Sequence, residues 1–332
     1  MADEPARDAL TPPPGSEPTV SPTHFRRALI LTGPTASGKS ALALELAPRL
    51  NAEIVAMDSM TLYRGMDIGT AKPTPADREA VPHHLLDVLD PWESGNVAWW
   101  LRLAADATTR IESRGKTVLF VGGTPFYLKA LLRGIFDSPP ADPELRARLE
   151  AEADLLGPMG FHAKLREVDP ASAVRLHPND IRRQVRAIEV YELTGRPISA
   201  WQQQGWFDPA EPTDGEGAET FPRVLAVNPD RDELYRRIER RVQTMLDAGW
   251  LDEVERLRSL PEGLSREASA ALGYRELGRY LDGETSLSEA VETIRLRSRQ
   301  FAKRQLTWFR NLEDCQMCEG KLTFPLWKSR MS

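Results

Sequence analysis

Eight consecutive residues, Gly33, Pro34, Thr35, Ala36, Ser37, Gly38, Lys39 and Ser40, carry the most specific chemistry in this 332-residue sequence. They fit the spacing G-x-x-x-x-G-K-[ST], with an apolar run before them and a helical pattern after them. Glycines at these places let the backbone turn so that its N–H groups converge on phosphate oxygens, and a helix N-terminus behind them adds partial positive charge. Lys39 supplies a fixed cation. The Ser40 hydroxyl stands where such loops commonly coordinate a Mg²⁺ that bridges the phosphates. A turn that only joined strand to helix has no need of a lysine at this spacing. The motif reports phosphate and leaves the reaction open, so kinases, NTPases and diphosphate-releasing transferases all fit.

A second set of chemical residues lies beyond the loop. Asp58 ends an apolar run, where a carboxylate can be a general base, a helix N-cap or a Mg²⁺ ligand. Thr124 follows Gly122-Gly123, where its hydroxyl either touches substrate or caps the next helix. Arg64 and Lys72 face phosphate, RNA or simply solvent. His83 and His84 lack a spaced third ligand, which points to a structural or surface role. Cys315-x-x-Cys318 has the spacing of half a zinc site, with no second Cys or His pair before Ser332. Arg236, Arg237, Arg240 and Arg241 interleave with Asp232, Glu233 and Glu239 and suggest a solvated face. Residues 295–310, by contrast, run for sixteen positions without an acid and mix Arg297, Arg299, Lys303 and Arg304 with Trp308 and Phe309. Such a mixture suits phosphate contact and base stacking, and one of its arginines is expected to reach a leaving phosphate group.

The elements that must position these groups follow from periodicity. Apolar strand runs are expected at 28–32, 53–57, 85–89, 117–121 and 223–227, separated by helical patterns. That alternation predicts an α/β fold with a parallel sheet flanked by helices, ligands gathering at the carboxyl ends of the strands. The loops at Gly33, Asp58 and Gly123 should meet there. About 100 residues between the last two strands exceed an ordinary connection and contain helical patterns at 143–154 and 179–193. The expected division is a disordered tail at 1–24, a P-loop core at 25–136 and 223–314, an inserted helical lobe at 137–222, and a tail at 315–332. A Gln-, Gly- and Pro-rich loop is expected at 202–222, long amphipathic helices at 230–260 and 286–312.

Composition bounds the setting. Hydrophobic residues at 41% and charged residues at 28% suit a globular chain with a sizeable core, and a net charge of −6 argues against general attraction to polyanions while leaving room for a local basic face. Two cysteines offer no disulfide framework, which favours the cytoplasm, and no run approaches the length of a membrane span. Monomer is the default expectation.

Several separated blocks together resemble the tRNA dimethylallyltransferases, also called tRNA isopentenyltransferases. They are GPTASGKS at 33–40, DSMTLYRGMDIGTAKP at 58–73, VGGTPFYLKALLRGI at 121–135, ADPELRARLE at 141–150, NDIRRQVRAIEVY at 179–191, ALGYRE at 271–276 and FAKRQLTWFR at 301–310. Their order and spacing match as well. The resemblance implies a P-loop NTPase-like fold with an inserted, mainly helical tRNA-binding lobe. It implies transfer of a dimethylallyl group from dimethylallyl diphosphate to N6 of the adenosine 3′-adjacent to the anticodon, with diphosphate released. Under it Asp58 is the base, with Lys39 and Ser40 serving the leaving group and Mg²⁺. Asp58, Ser59, Met60, Thr61 and Thr124 would receive the adenine, extruded from the anticodon loop. Arg146, Arg182, Arg183, Gln184, Val185 and Arg186, with Ala270, Ala271, Leu272, Gly273, Tyr274 and Arg275, would contact the tRNA. The sequence departs from the family pattern at Thr61, usually Gln, and at Pro125-Phe126, usually Gly-Leu. Rival readings are an adenylate isopentenyltransferase, a P-loop kinase of a small metabolite, and an RNA-binding module with a vestigial loop.

Overall fold

The computed structural model of the protein describes residues 20–136, 139–205 and 224–318. The expected N-terminal tail lies outside the described residues up to 19, and most of the expected 202–222 loop does too. The described residues of Leu132–Thr213 belong to one compact unit, those of Thr23–Leu131 and Asp214–Ser332 to another.

The larger unit is built on a parallel sheet. Its first half contains β1 (Leu29–Thr32), α1 (Lys39–Arg49), β2 (Ala52–Ala56), α2 (Pro75–Ala80), β3 (His83–His84), α3 (Val97–Ser113), β4 (Thr117–Val121) and α4 (Pro125–Arg133). The smaller unit contains α5 (Pro143–Val168), α6 (Pro170–Arg175), α7 (Ile181–Thr194) and α8 (Ile198–Gly205). The larger unit resumes with β5 (Val224–Val227), α9 (Arg231–Asp247), α10 (Trp250–Arg258), α11 (Arg266–Ser269), α12 (Tyr274–Leu281), α13 (Leu287–Arg310) and β6 (Cys315–Cys318). Strand order is β3-β2-β4-β1-β5-β6, and every pairing among the described residues is parallel. All four residues of β1 and of β5 are buried, as strands covered on both faces must be. No helix among the described residues is long and apolar enough to cross a membrane.

Three expectations are corrected. The third strand is His83–His84, registered on Ile54 and Val55, and not 85–89. Leu85 and Asp87 have φ of 60° and 57°, a left-handed geometry that no regular strand accommodates, and Leu89 only bridges Tyr63. Residues 315–318 are not tail but the edge strand β6, paired with Val224–Val227. The long helix expected at 230–260 is two helices, broken where Gly249 adopts φ 91°.

In the smaller unit α5 outruns its expected end at 154 and reaches Val168, across a kink at Gly157 (φ 66°) and Pro158. Leu149, Phe161, Leu165, Val185 and Ile188 form its core. α7 is pinned to the start of α5 by Glu189, which is fully buried. Its carboxylate accepts the Asp142 N–H at 3.0 Å and is paired with both Arg146 and Arg186 at 2.7 Å. A buried carboxylate is tolerable only with such partners.

Candidate active site

The phosphate loop takes its shape from three residues with positive φ, two of them glycines. Gly33 leaves β1 with φ 150°, and a Cβ there would stand 2.9 Å from the Val227 carbonyl oxygen. Ala36 and Gly38 follow at φ 60° and 90°. α1 then starts at Lys39 with no side-chain cap, so the N–H groups of its first turn are not claimed by a capping side chain. Lys39 reaches back to the Pro34 carbonyl at 3.3 Å. Desolvation pushes its pKa down to about 8; Asp58 opposes this and Arg241 adds to it, so the three charges sense one another. Ser40 is exposed on the same first turn.

The Gly33, Asp58 and Gly123 loops meet at the carboxyl end of the sheet. Thr32 Oγ1 donates to the Gly122 carbonyl at 2.8 Å, and a Cβ on Gly122 would lie 1.9 Å from the Met57 carbonyl oxygen. Asp58 is neither a helix cap nor part of a helix. Its Oδ1 accepts the Met60 N–H at 2.9 Å, a local turn that orients the carboxylate. Thr124 Oγ1 accepts the Ser59 N–H at 3.2 Å, tying the two strand ends together.

These groups open on a cavity of about 140 Å³. Thr35, Asp58, Ser59, Thr124 and Arg241 supply its polar wall, and Met60, Ile238, Val242, Met245, Trp250, Leu272, Ile294 and Phe301 its apolar one. Gly69 and Tyr274 also line it. Buried Glu253 fixes that end by accepting the N–H groups of Asp67 (2.8 Å), Ile68 (2.8 Å) and Gly69 (3.2 Å) and the Tyr274 hydroxyl (2.6 Å). Burial and the Glu253 charge hold the Tyr274 phenol well above its ordinary pKa. Trp250 is wedged between two glycines, since a Cβ on Gly69 or Gly273 would come within 2.1 or 2.0 Å of its ring.

The other expected contact residues fall into distinct places. Ala271, Leu272 and Tyr274 line the cavity, Gly273 caps α12 by giving its N–H to Glu276 at 2.7 Å, and Ala270 and Arg275 are exposed. Thr61 is buried, its hydroxyl turned onto the Asp58 carbonyl at 3.3 Å, and it is not on the cavity wall. In the smaller unit Arg182 and Arg183 are exposed. Gln184 is buried and donates to the Pro178 carbonyl at 2.6 Å, and Val185 is core, so neither side chain offers surface.

Several positions differ from their expected roles. Arg241 is not on a solvated face: it is on the cavity wall with Asp58, and desolvation lowers its pKa. Its neighbour Arg237 binds Glu233 and gives a hydrogen bond to the Ser37 carbonyl at 3.2 Å, while Arg236 stays on the exposed face with Glu233. Spacing held the signal, because Arg241 stands three residues after Ile238 and four before Met245 on the buried stripe of α9. Within 295–310, Arg295 pairs with Glu292, Arg297 with Glu276 and Arg299 with Glu239, and Phe309 is fully buried rather than available for stacking. Lys72 faces neither phosphate nor solvent; its buried ammonium binds the Tyr63 carbonyl (2.6 Å), Asp67 (2.6 Å) and Asp87 (2.7 Å).

A glycine loop and lysine at the head of a parallel sheet, beside a cavity with a carboxylate on its wall, define a P-loop-like fold. The profile of the IPP transferase family matches residues 61–312, and the chain belongs to that family. A tRNA dimethylallyltransferase of Geobacter metallireducens is 47% identical over 285 residues, covering 86% of this chain and 89% of the relative. The tRNA dimethylallyltransferase 1 of Pelobacter propionicus is 48% identical over 284 residues, covering 85% and 89%. Among solved structures, the full-length tRNA isopentenylpyrophosphate transferase of Bacillus halodurans superposes with a TM-score of 0.62 at 37% identity, covering 92% of this chain and 95% of that one. A eukaryotic dimethylallyltransferase acting on tRNA gives a TM-score of 0.70 at 27% identity, covering 91% and 76%.

Proposed function

We propose that the chain transfers a dimethylallyl group from dimethylallyl diphosphate to the exocyclic N6 of the adenosine 3′-adjacent to the anticodon in tRNA. One observation carries the reading: a single cavity has the phosphate loop, through Thr35, and Asp58, Thr124 and Arg241 on its wall, next to an apolar surface able to take a five-carbon chain. The reacting ends would meet in this cavity with the rest of the RNA outside, and an adenine would reach it by leaving its stack.

In this mechanism the amine nitrogen forms a bond to the allylic carbon as that carbon's bond to the diphosphate oxygen breaks. Asp58 takes the amine proton. Lys39, the loop N–H groups and Arg241 take the charge developing on the diphosphate, where fixed donors in a dry site act most strongly. Ser40, an exposed oxygen donor beside the loop, is the residue that would hold a Mg²⁺. That ion would supply further charge neutralisation. Among the described residues no cluster of three His, Cys, Asp or Glu exists to hold a metal. Arg182 and Arg183 would meet the RNA backbone.

Incubation with labelled dimethylallyl diphosphate or ATP, each with tRNA or AMP, tests the reading. Label from the prenyl donor should enter tRNA. Label in AMP alone would change the acceptor, and phosphate transfer from ATP would reject the reaction.

A further inference from the structure

The block FAKRQLTWFR reads in sequence as a basic, aromatic surface, yet its Gln305 is turned inward. On α13 it is only 2% exposed. Its Oε1 accepts the N–H of Thr35 at 2.9 Å, and its Nε2 donates to the carbonyl of Gly123 at 2.6 Å. A carboxamide gives and accepts from one planar end, and here both functions are spent on the backbones of two different loops. The fit is close. A Cβ on Gly123 would stand 2.6 Å from Nε2, 3.2 Å from the Gly33 carbonyl oxygen and 3.4 Å from Lys39 Nζ, so the absence of a side chain at 123 is what admits the amide. The two loops lie side by side and carry different parts of the chemistry. Thr35 belongs to the phosphate loop, whereas Gly123 precedes Thr124, whose hydroxyl holds the amide next to Asp58.

We propose that Gln305 is a positioning residue for the transfer, setting the phosphate loop at a fixed separation from the Asp58 and Thr124 side of the cavity. This role rests on the reading that diphosphate occupies the loop and that the acceptor faces Asp58. Gln305 acts through Thr35 and Gly123 and touches neither substrate. Each substrate binds mainly on one side of the carboxamide, so its loss leaves the separate affinities nearly intact. The step that joins the two sides slows, because misplacement by a fraction of an ångström weakens the alignment of nucleophile and leaving group.

Two variants of the full chain test this alongside the wild type. Gln305→Leu removes both bonds. Gln305→Glu keeps the shape and the acceptor for Thr35 but sets an oxygen against the Gly123 carbonyl. Single-turnover rates with dimethylallyl diphosphate and tRNA should fall by roughly 100-fold in Gln305→Leu, and clearly though less in Gln305→Glu, with both dissociation constants within about threefold of wild type. A rate within about threefold of wild type, or affinity losses as large as the rate loss, would overturn the proposal. Hydrogen exchange in the wild-type protein gives a second reading that needs no variant to fold. The Thr35 amide should be protected without ligand, and exchange at the rate of an unstructured peptide would overturn the contact itself. A wild-type chain that transfers no prenyl group rejects the reaction and this role with it, whereas slow variants beside an active wild type bear on Gln305 alone.

Discussion

Lys39 carries the chemistry most sensitive to conditions. Its ammonium is held near pKa 8 by desolvation, far below a free lysine, and a bound diphosphate favours the charged form. The sign follows directly. Below about pH 8 the free protein already holds the proton; above it, binding must take one up, so diphosphate affinity falls as pH rises, by up to about tenfold per unit until the bound lysine itself titrates. Calorimetry in two buffers of different ionisation heat should register that proton uptake on the alkaline side. Asp58 can be separated from its turn: in Asp58→Asn the amide oxygen still accepts the Met60 N–H, but the proton acceptor is gone. The transfer rate should drop by roughly 10²–10⁴-fold with tRNA affinity within a few-fold, and equal loss of both in rapid-quench and filter-binding assays would refute the division of roles. Arg241→Gln should cost roughly 10²–10³-fold in rate. Arg236→Gln on the exposed face of the same helix should leave turnover unchanged, and similar effects of the two would sink the assignment of Arg241.

At the scale of elements, the cavity is held by junctions more than by helix interiors. Gly249 breaks α9 from α10 and delivers Trp250 to the wall, and Gly273 starts α12 at φ 91° against the same ring. Gly273→Ala meets a strained backbone and a Cβ 2.0 Å from Trp250 together, so it should destabilise the larger unit by on the order of 3 kcal/mol. A urea midpoint indistinguishable from wild type would show that Trp250 moves aside at little cost. Glu253 performs the complementary task from α10. With three consecutive amides on one carboxylate, it fixes the segment that carries Gly69 without any helix or strand in that segment.

For the whole molecule, the net charge is acidic, so under the proposed function RNA would be met through local basic points such as the exposed Arg182 and Arg183. The double change Arg182→Ala and Arg183→Ala should weaken tRNA binding and lower its salt slope by roughly 1 to 2, with diphosphate affinity unchanged; a slope equal to wild type would remove these residues from the interface. Much of this architecture is local in origin and therefore readable in one dimension. The phosphate loop, Asp58, Gly122-Gly123, four of the strands and the inserted helical segment all announce themselves by residue type and spacing, because turns, pleats and helical faces are set by neighbours in the chain. Other features are not local. The strand expected at 85–89 yielded to left-handed residues at Leu85 and Asp87, and Asp87 is bound by Lys72 and Arg78. β6 is four residues long and exists by pairing with β5. Gln305 meets a loop 270 residues away. A charged or amide side chain looks alike in sequence whether it faces water or a buried partner, and its direction depends on what distant segment arrives to desolvate it. Sequence alone determined that this chain carries a phosphate-loop motif at the head of a parallel sheet. Only tertiary packing decided that Arg241 and Gln305 turn toward that site while Lys72 and Arg297 turn away to bind acids.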